Sequence, residues 1–151
     1  MRVLLVKPAA AAIDFGLAPF FQTEPLGLQY IASAVARAGH TATIVDLRFD
    51  RRRLRRVLEQ TRPDLVGISA VHILDADVAR AIAGEVKAFD RSTSVVLGGH
   101  AISTYPAALA GCRSVDALAL GEGERAVPSL CDALHARRPL ETVRGLLLAD
   151  G

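Results

Sequence analysis

Short apolar runs alternate along the chain with longer stretches in which apolar residues recur at helical spacing. The runs cover residues 3–6, 41–45, 64–70 and 94–97, and a weaker fifth covers 117–120. They are rich in β-branched residues and lack strict alternation, which is typical of parallel strands covered on both faces. The runs therefore predict five strands of a buried sheet.

The stretches between these runs predict five helices. In the first, Leu28, Ile31 and Val35 share one face, and Gly39 ends the helix. The others are expected near residues 54–61, 78–89, 106–110 and 124–136. Strands that alternate with helices predict an open parallel sheet with right-handed crossovers and helices on both faces.

The connection between the first strand and the first helix is unusually long. It covers residues 8–24, whereas such loops typically have ~2–6 residues. It also carries three of the five phenylalanines, Phe15, Phe20 and Phe21. These rings either cover a bound ligand, pack the loop onto the sheet, or face a further domain.

The carboxyl end carries one more apolar run, at residues 146–148. It either pairs at an edge of the sheet or leads into a following domain. We predict one α/β domain over residues 1–140, followed by a tail or the start of a linker over residues 141–151.

Composition and charge exclude several classes of protein. The 151 residues are 51% hydrophobic and 23% charged, which excludes a disordered chain. The net charge of +2 gives no general electrostatic reason to bind nucleic acid. Two cysteines are too few for a disulfide framework or a zinc knuckle. No apolar run approaches the ~20 residues that span a bilayer, and the first strand is too short for a signal peptide, so we expect a cytoplasmic protein.

Candidate chemistry lies where each strand ends, because open parallel sheets bind ligands beyond the carboxyl ends of their strands. Residues 69–72, 98–100 and 121–124 follow strands and are rich in glycine and small polar groups. Glycine lets a ligand approach the backbone, and free N–H groups can cradle a phosphate. No dinucleotide fingerprint, P-loop or nucleophile elbow is present. His72 and His100 lack a metal-spaced partner, so no protein metal site is expected.

Four motifs in order resemble the amino-terminal cobalamin-binding domain of radical S-adenosylmethionine enzymes. They are Pro25-Leu26-Gly27-Leu28, Val66-Gly67-Ile68-Ser69-Ala70, Leu97-Gly98-Gly99-His100 and Gly121-Glu122-Gly123-Glu124. The resemblance covers nearly the whole chain. It implies a flavodoxin-like (Rossmann-type), doubly wound sheet of about five parallel strands in three α/β/α layers.

The resemblance also implies how cobalamin would be held. The corrin ring would lie over the carboxyl edge, and the nucleotide arm, detached from cobalt, would run down into the sheet. Ser69 corresponds to a hydroxyl residue that faces this arm, and Gly98-Gly99 to a pair that leaves room for its ribose and phosphate. The implied cofactor-binding residues are Gly27, Ser69, Gly98, Gly99, Gly121 and Glu122.

Two departures from related patterns limit what the resemblance implies. Where methionine-synthase-type domains have Asp-x-His-x-x-Gly, this chain has Gln22, Glu24 and Gly27, so the base-off cobalamin would receive no protein histidine. The chain also lacks the Cys-x-x-x-Cys-x-x-Cys motif of a radical enzyme. An iron–sulfur cluster and S-adenosylmethionine would therefore belong to a partner domain or protein. The implied function is a cobalamin-binding module for methyl transfer or radical rearrangement, not an enzyme on its own.

Other interpretations of these residues remain open. Gly98-Gly99 suits a plain tight turn, Ser69 suits a local cap, and Glu122 and Glu124 suit the positive end of a helix dipole. Residues 51–56 contain five arginines, which form either a solvated helix face or a surface for an acidic partner. The alternative functions are a cofactor-free protein-interaction module and a domain that binds another phosphorylated ligand, a nucleotide or flavin, at the same edge.

Overall fold

The structure is a computed structural model that describes residues 1–9, 24–50, 53–108 and 111–149. Several residues that the sequence singled out lie outside the described residues. They are Phe15, Phe20 and Phe21 of the long loop, Gln22, and Arg51 and Arg52 of the arginine run.

The described residues form one six-stranded sheet in the order β2-β1-β3-β4-β5-β6. The strands are β1 (Arg2–Lys7), β2 (Thr41–Asp46), β3 (Leu65–Ser69), β4 (Ser94–Gly98), β5 (Ala117–Ala119) and β6 (Leu146–Leu148). The first five are parallel to one another, which confirms the predicted doubly wound α/β fold. β6 is antiparallel to β5, so the last apolar run pairs at the edge of the sheet. The domain boundary expected after residue 140 stays a prediction.

The described helices are α1 (Leu26–Arg37), α2 (Leu54–Thr61), α3 (Asp75–Phe89), α4 (His100–Thr104) and α5 (Gly123–His135). Four of the five lie near their predicted places. The short helix expected at residues 106–110 is wrong, because α4 begins directly after β4 and Pro106–Ala108 forms a 3-10 turn. Pro106 disfavours helical backbone at Tyr105, which is extended in φ at −134° and ends α4.

Two apolar layers bury the two faces of the sheet. Leu4, Val6 and Ile68 point toward α2 and α3, and the neighbouring residues Leu5 and Val96 point toward α1 and α5. Alternation along each strand therefore feeds both layers, which explains the near-continuous apolar runs. The two faces differ in one respect that matters for function: the α1/α5 face is open at the carboxyl ends of the strands.

The described helices include none that is long and apolar enough to cross a lipid bilayer. Both cysteines are free, and Cys131 is buried in the α1/α5 layer. Burial raises the pKa of the Cys131 thiol to about 11, which keeps it protonated near neutral pH. Cys131 is thus a small core residue rather than a reactive thiol.

Candidate ligand-binding cleft

A cleft of about 460 Å³ opens at the carboxyl edge of the sheet, between its α1/α5 face and the amino-terminal ends of α1 and α5. Its volume is within the ~300–1,000 Å³ of small-molecule sites. Ser69, Gly98 and Ala119 stand in register on β3, β4 and β5 and form the outer part of its floor. One row deeper, Gly67 and Val96 continue this floor into the sheet.

All six residues predicted to bind the cofactor line this one cleft: Gly27, Ser69, Gly98, Gly99, Gly121 and Glu122. The sequence placed them on three separate strand ends and one helix start. Parallel pairing brings these four segments to one rim, as expected for a doubly wound sheet. Their contact with cobalamin stays a prediction.

Ser69 is the last residue of β3, and its side chain is partly exposed in the cleft. Among the described residues, none forms a hydrogen bond with its hydroxyl, and its backbone continues the ladder with β4. The interpretation of Ser69 as a local cap therefore finds no partner group in the described part of the chain. Its hydroxyl is free to donate to a ligand or accept from one.

Gly98 and Gly99 have different structural roles. Gly99 has φ of +116° and ψ of 176°, a backbone conformation that essentially only glycine adopts. A Cβ at Gly99 would lie 2.4 Å from the carbonyl oxygen of Ala70, so this glycine is required where the chain turns from β4 into α4. Gly98 lies in a regular strand, and a Cβ there would lie 3.6 Å from the Cβ of Ala119, an ordinary contact. Gly98 therefore leaves space in the cleft that the fold itself does not require.

Sequence reasoning missed two residues of the floor, Gly67 and Ala119. A Cβ on Gly67 would lie 2.9 Å from Cδ2 of Leu5, so Leu5 packs over the glycine. Glycine inside a strand often marks a place where a ligand or another part of the chain comes close, so Gly67 could have been identified from the sequence on this ground. Ala119 is 4% exposed and gave no signal, since a short apolar run does not reveal which residues face which layer.

The starts of α1 and α5 form the walls of the cleft and lie close together. A Cβ on Gly123 would lie 2.6 Å from Cδ1 of Ile31, so the Ile31 side chain packs directly against this glycine. Gly121 has φ of +73°, and its N–H donates to Ser103 Oγ at 2.9 Å. This turn aims Glu122 and the first turn of α5 at the cleft.

The charged groups of the cleft are unevenly distributed. Lys7 and Arg48 line it at the β1 and β2 side, whereas Glu122 and Glu124 line it at the β5 side. Glu24 lies at the start of α1, where its Oε2 accepts a hydrogen bond from the Gln29 side-chain amide at 3.0 Å. Glu122 is the N-cap residue of α5 and makes no side-chain cap bond, and Glu124 lies in the first turn, where the helix dipole favours a carboxylate.

Arg48 forms an ion pair with Asp46. Both side chains are mostly buried, with 17% of Arg48 and 15% of Asp46 exposed. Arg48 Nε donates to Oδ1 at 2.9 Å, and its NH2 group donates to Oδ2 at 2.6 Å. The guanidinium holds the pKa of the Asp46 carboxyl below its ordinary value, mainly through these hydrogen bonds. Asp46 therefore stays ionised and fixes Arg48 beside the cleft.

We expect Asp46→Asn to reduce the free energy of unfolding at pH 7 by about 1–2 kcal/mol, because it removes a charge-assisted pair. The pKa of Asp46 is lower in the folded state, so its contribution is complete above the unfolded pKa of about 3.9 and is lost as pH falls through the folded pKa. Urea unfolding of both proteins between pH 7 and 2.5 should show the difference shrinking in acid. Asp77→Asn, at a side chain that is 90% exposed and pairs with Arg80 on the surface of α3, is the control and should lower the free energy of unfolding by less than about 0.5 kcal/mol. A difference that persists unchanged at pH 2.5 would show that the charge of Asp46 is not the cause.

None of the four histidines, all of which the structure describes, lines the cleft. His72 and His100 are exposed beside it, and Nδ1 of His72 accepts a hydrogen bond from the Leu74 N–H at 3.4 Å. Within the described ranges, no cluster of histidine, cysteine and acidic side chains is arranged to hold a metal ion. The described residues of the cleft therefore offer hydroxyl, backbone and charged groups to a ligand.

Two curated relatives match the whole length of the chain. An uncharacterized methyltransferase of Pyrococcus horikoshii is 35% identical over 153 residues, which covers 97% of this chain and 32% of that protein. The hopanoid C-3 methylase of Methylococcus capsulatus is 30% identical over 154 residues, which covers 100% of this chain and 29% of that protein. The chain thus spans about a third of the length of these relatives.

Solved structures share the fold. TsrM of Kitasatospora setae, a radical S-adenosylmethionine methyltransferase, superposes with a TM-score of 0.79 at 23% identity over 98% of this chain and 28% of that chain. OxsB, a cobalamin-dependent S-adenosylmethionine radical enzyme, superposes with a TM-score of 0.79 at 18% identity over 95% of this chain and 20% of that chain. Both likenesses confirm the Rossmann-like α/β fold.

A family match covers most of the chain. The family described as the B12 binding domain matches residues 16–131. This range contains all four motifs and the residues that form most of the cleft. The chain therefore belongs to the B12-binding domain family.

Proposed function

We propose that this chain binds cobalamin with its nucleotide arm inside the cleft, as the cobalamin-binding module of, or partner to, a radical S-adenosylmethionine enzyme. The enzyme would carry out methyl transfer or a radical rearrangement. The observation that carries the proposal is the open channel beside Ser69, where Gly98 and Ala119 leave the floor without large side chains.

The cleft fits one arm of the cofactor rather than all of it. A whole cobalamin is larger than about 460 Å³, so the corrin would remain at the mouth while the slender nucleotide arm enters. Ser69 would meet the arm with its hydroxyl, and Gly98 would leave room for ribose and phosphate. Gly27, Gly121 and Glu122 would border the mouth, where the corrin amides need hydrogen-bond partners.

The chain would leave the lower face of cobalt without a histidine. Glu24 stands where related domains carry that ligand, and its carboxylate is engaged by Gln29. We therefore propose that the bound cofactor is base-off with no protein histidine on cobalt. Cobalamin supplies the cobalt that carries the transferable group, and this chain supplies its position and orientation.

The partner would face the same edge of the sheet. Several large apolar side chains are exposed there although the core is otherwise well buried: Leu26, Val71, Ile73, Leu74 and Tyr105. Exposed apolar patches commonly mark contacts with another protein surface. The methylases that match this chain are about three times its length, which leaves room in them for a further domain. In our proposal that domain binds the iron–sulfur cluster and S-adenosylmethionine, since two cysteines cannot supply the cluster motif.

Gel filtration with methylcobalamin tests the proposal directly. We expect corrin absorbance to co-elute with the protein, with the spectrum of base-off methylcobalamin that the free cofactor shows in acid. Saturable binding in equilibrium dialysis gives the affinity. If no binding occurs up to millimolar methylcobalamin, the proposed function is wrong. A base-on spectrum for the bound cofactor would contradict the buried arm while leaving the binding itself intact.

A further inference from the structure

The cleft contains a lysine with no partner in the described part of the chain. Lys7 is the last residue of β1, and its side chain is partly buried and lines the cleft. No carboxylate in the described ranges comes within ion-pair distance of its ammonium group. Burying a lysine beside a cleft has a cost in lost solvation, which a bound anion would offset.

Among the described residues, Asp46 attracts Lys7 electrostatically but makes no ion pair with it. Asp46 lies beside Lys7 in the β1–β2 register, but both of its oxygens are held by Arg48. Among the described residues, the Asp46 carboxylate is therefore engaged by Arg48 and not by the ammonium group of Lys7. Glu122 and Glu124 lie at the β5 end, three strands away, or about 14 Å at ~4.8 Å per strand.

The position of Lys7 relative to Ser69 identifies the kind of anion that fits. β1 and β3 are neighbours, and Val6 pairs with Ile68, so Lys7 and Ser69 lie side by side one position further on. Both line the cleft, one with an ammonium donor and the other with a free hydroxyl. A cation and a hydroxyl on adjacent strands are suited to a tetrahedral, singly charged phosphodiester.

We propose that Lys7, beside Ser69, binds the phosphate of a nucleotide arm that enters the cleft, and so selects ligands that carry such an arm. This inference rests on the proposed function, in which the arm is that of cobalamin, whose phosphodiester is the one anionic group of its nucleotide arm. Flavin mononucleotide also carries a phosphate, as a monoester, so the experiment separates the two sources.

Equilibrium dialysis of the 151-residue chain against methylcobalamin, cobinamide and flavin mononucleotide tests the inference. Cobinamide has the corrin but lacks the phosphate, ribose and base. We expect Lys7→Met to weaken methylcobalamin binding about tenfold and to leave cobinamide binding unchanged. Lys7→Arg, which keeps the charge, should bind methylcobalamin within about twofold of the wild-type affinity. Arg125→Gln removes the same charge from an exposed position of α5 outside the cleft and should also change affinity less than twofold.

Each other outcome has a definite meaning. If Lys7→Met binds methylcobalamin as the wild type does, or weakens both corrinoids equally, Lys7 does not bind the phosphate and the inference is wrong. If the wild type binds flavin mononucleotide through Lys7 but binds no corrinoid, the phosphate site stands and the proposed cofactor is wrong. If the wild type binds none of the three ligands, both proposals fail. Circular dichroism and thermal unfolding of each variant confirm that the fold is kept.

Discussion

Gly98→Leu will abolish the retention of methylcobalamin through gel filtration while the protein stays folded. Gly98 has a regular strand conformation, and its Cβ position makes only an ordinary contact with Ala119. The strand can therefore accept a side chain, and leucine would extend from the floor into the channel that the nucleotide arm occupies in our proposal. We expect the dissociation constant to rise at least about 100-fold, which corresponds to the loss of roughly 2.7 kcal/mol of binding free energy.

Gly98→Ala is the matched control for this prediction. It adds only the Cβ, which the structure accommodates 3.6 Å from the Cβ of Ala119, so binding should weaken far less than with leucine. Thermal unfolding should place both variants close to the wild type. Undiminished binding by the folded leucine variant would mean that the arm does not pass over Gly98, even if the chain binds cobalamin elsewhere.

The layered fold was predictable because each apolar run is short and because glycine or proline follows the ends of the first two helices. Gly39 ends α1 as expected, with φ of +84°, and Pro63 follows the end of α2. The fourth helix was misplaced for a local reason: Pro106 suggested a helix start, but α4 precedes it and Pro106 begins only a 3-10 turn. The five residues of α4 are too short a pattern to reveal a helix in the sequence.

The rim of the cleft was also predictable, but its depth was not. Glycine and serine at strand ends identify a rim whatever the register, because parallel strands all end at the same edge. Whether Gly67 and Ala119 face the α1/α5 layer depends on the register and on the face that each strand presents. A run without alternation carries no information on that choice, since both faces are apolar. For the same reason, the sequence did not show that Lys7 lines the cleft.

The two adjacent glycines at the end of β4 have different structural roles. The sequence presents Gly98 and Gly99 as one motif, and an interpretation as a tight turn competes with one as a binding site. The structure separates them, because the positive φ belongs to Gly99 and the open space belongs to Gly98. The tight-turn interpretation is therefore confirmed for Gly99, whereas a binding role for Gly98 stays a prediction.

Gly99→Ala should destabilise the protein strongly, unlike the same change at Gly98. The backbone conformation of Gly99 alone costs about 1–3 kcal/mol for a residue with a Cβ. The Cβ would in addition lie 2.4 Å from the Ala70 carbonyl oxygen, a backbone atom. That oxygen accepts the Ala101 N–H at 3.3 Å, and the Ala70 N–H donates to Gly98 O at 2.7 Å, so a shift would disturb both connections between the ends of β3 and β4.

Urea unfolding, followed by far-ultraviolet circular dichroism, compares the stability of Gly99→Ala with that of Gly98→Ala. We expect Gly99→Ala to lower the urea midpoint clearly and Gly98→Ala to leave it close to the wild-type value. Cobalamin affinity distinguishes the two roles further, because loss of binding in Gly99→Ala should follow the loss of folded protein, whereas in Gly98→Leu it should occur in folded protein. Equal stability of the two alanine variants would show that the backbone after β4 can relax away from Ala70, and that Gly99 is not required for the turn into α4.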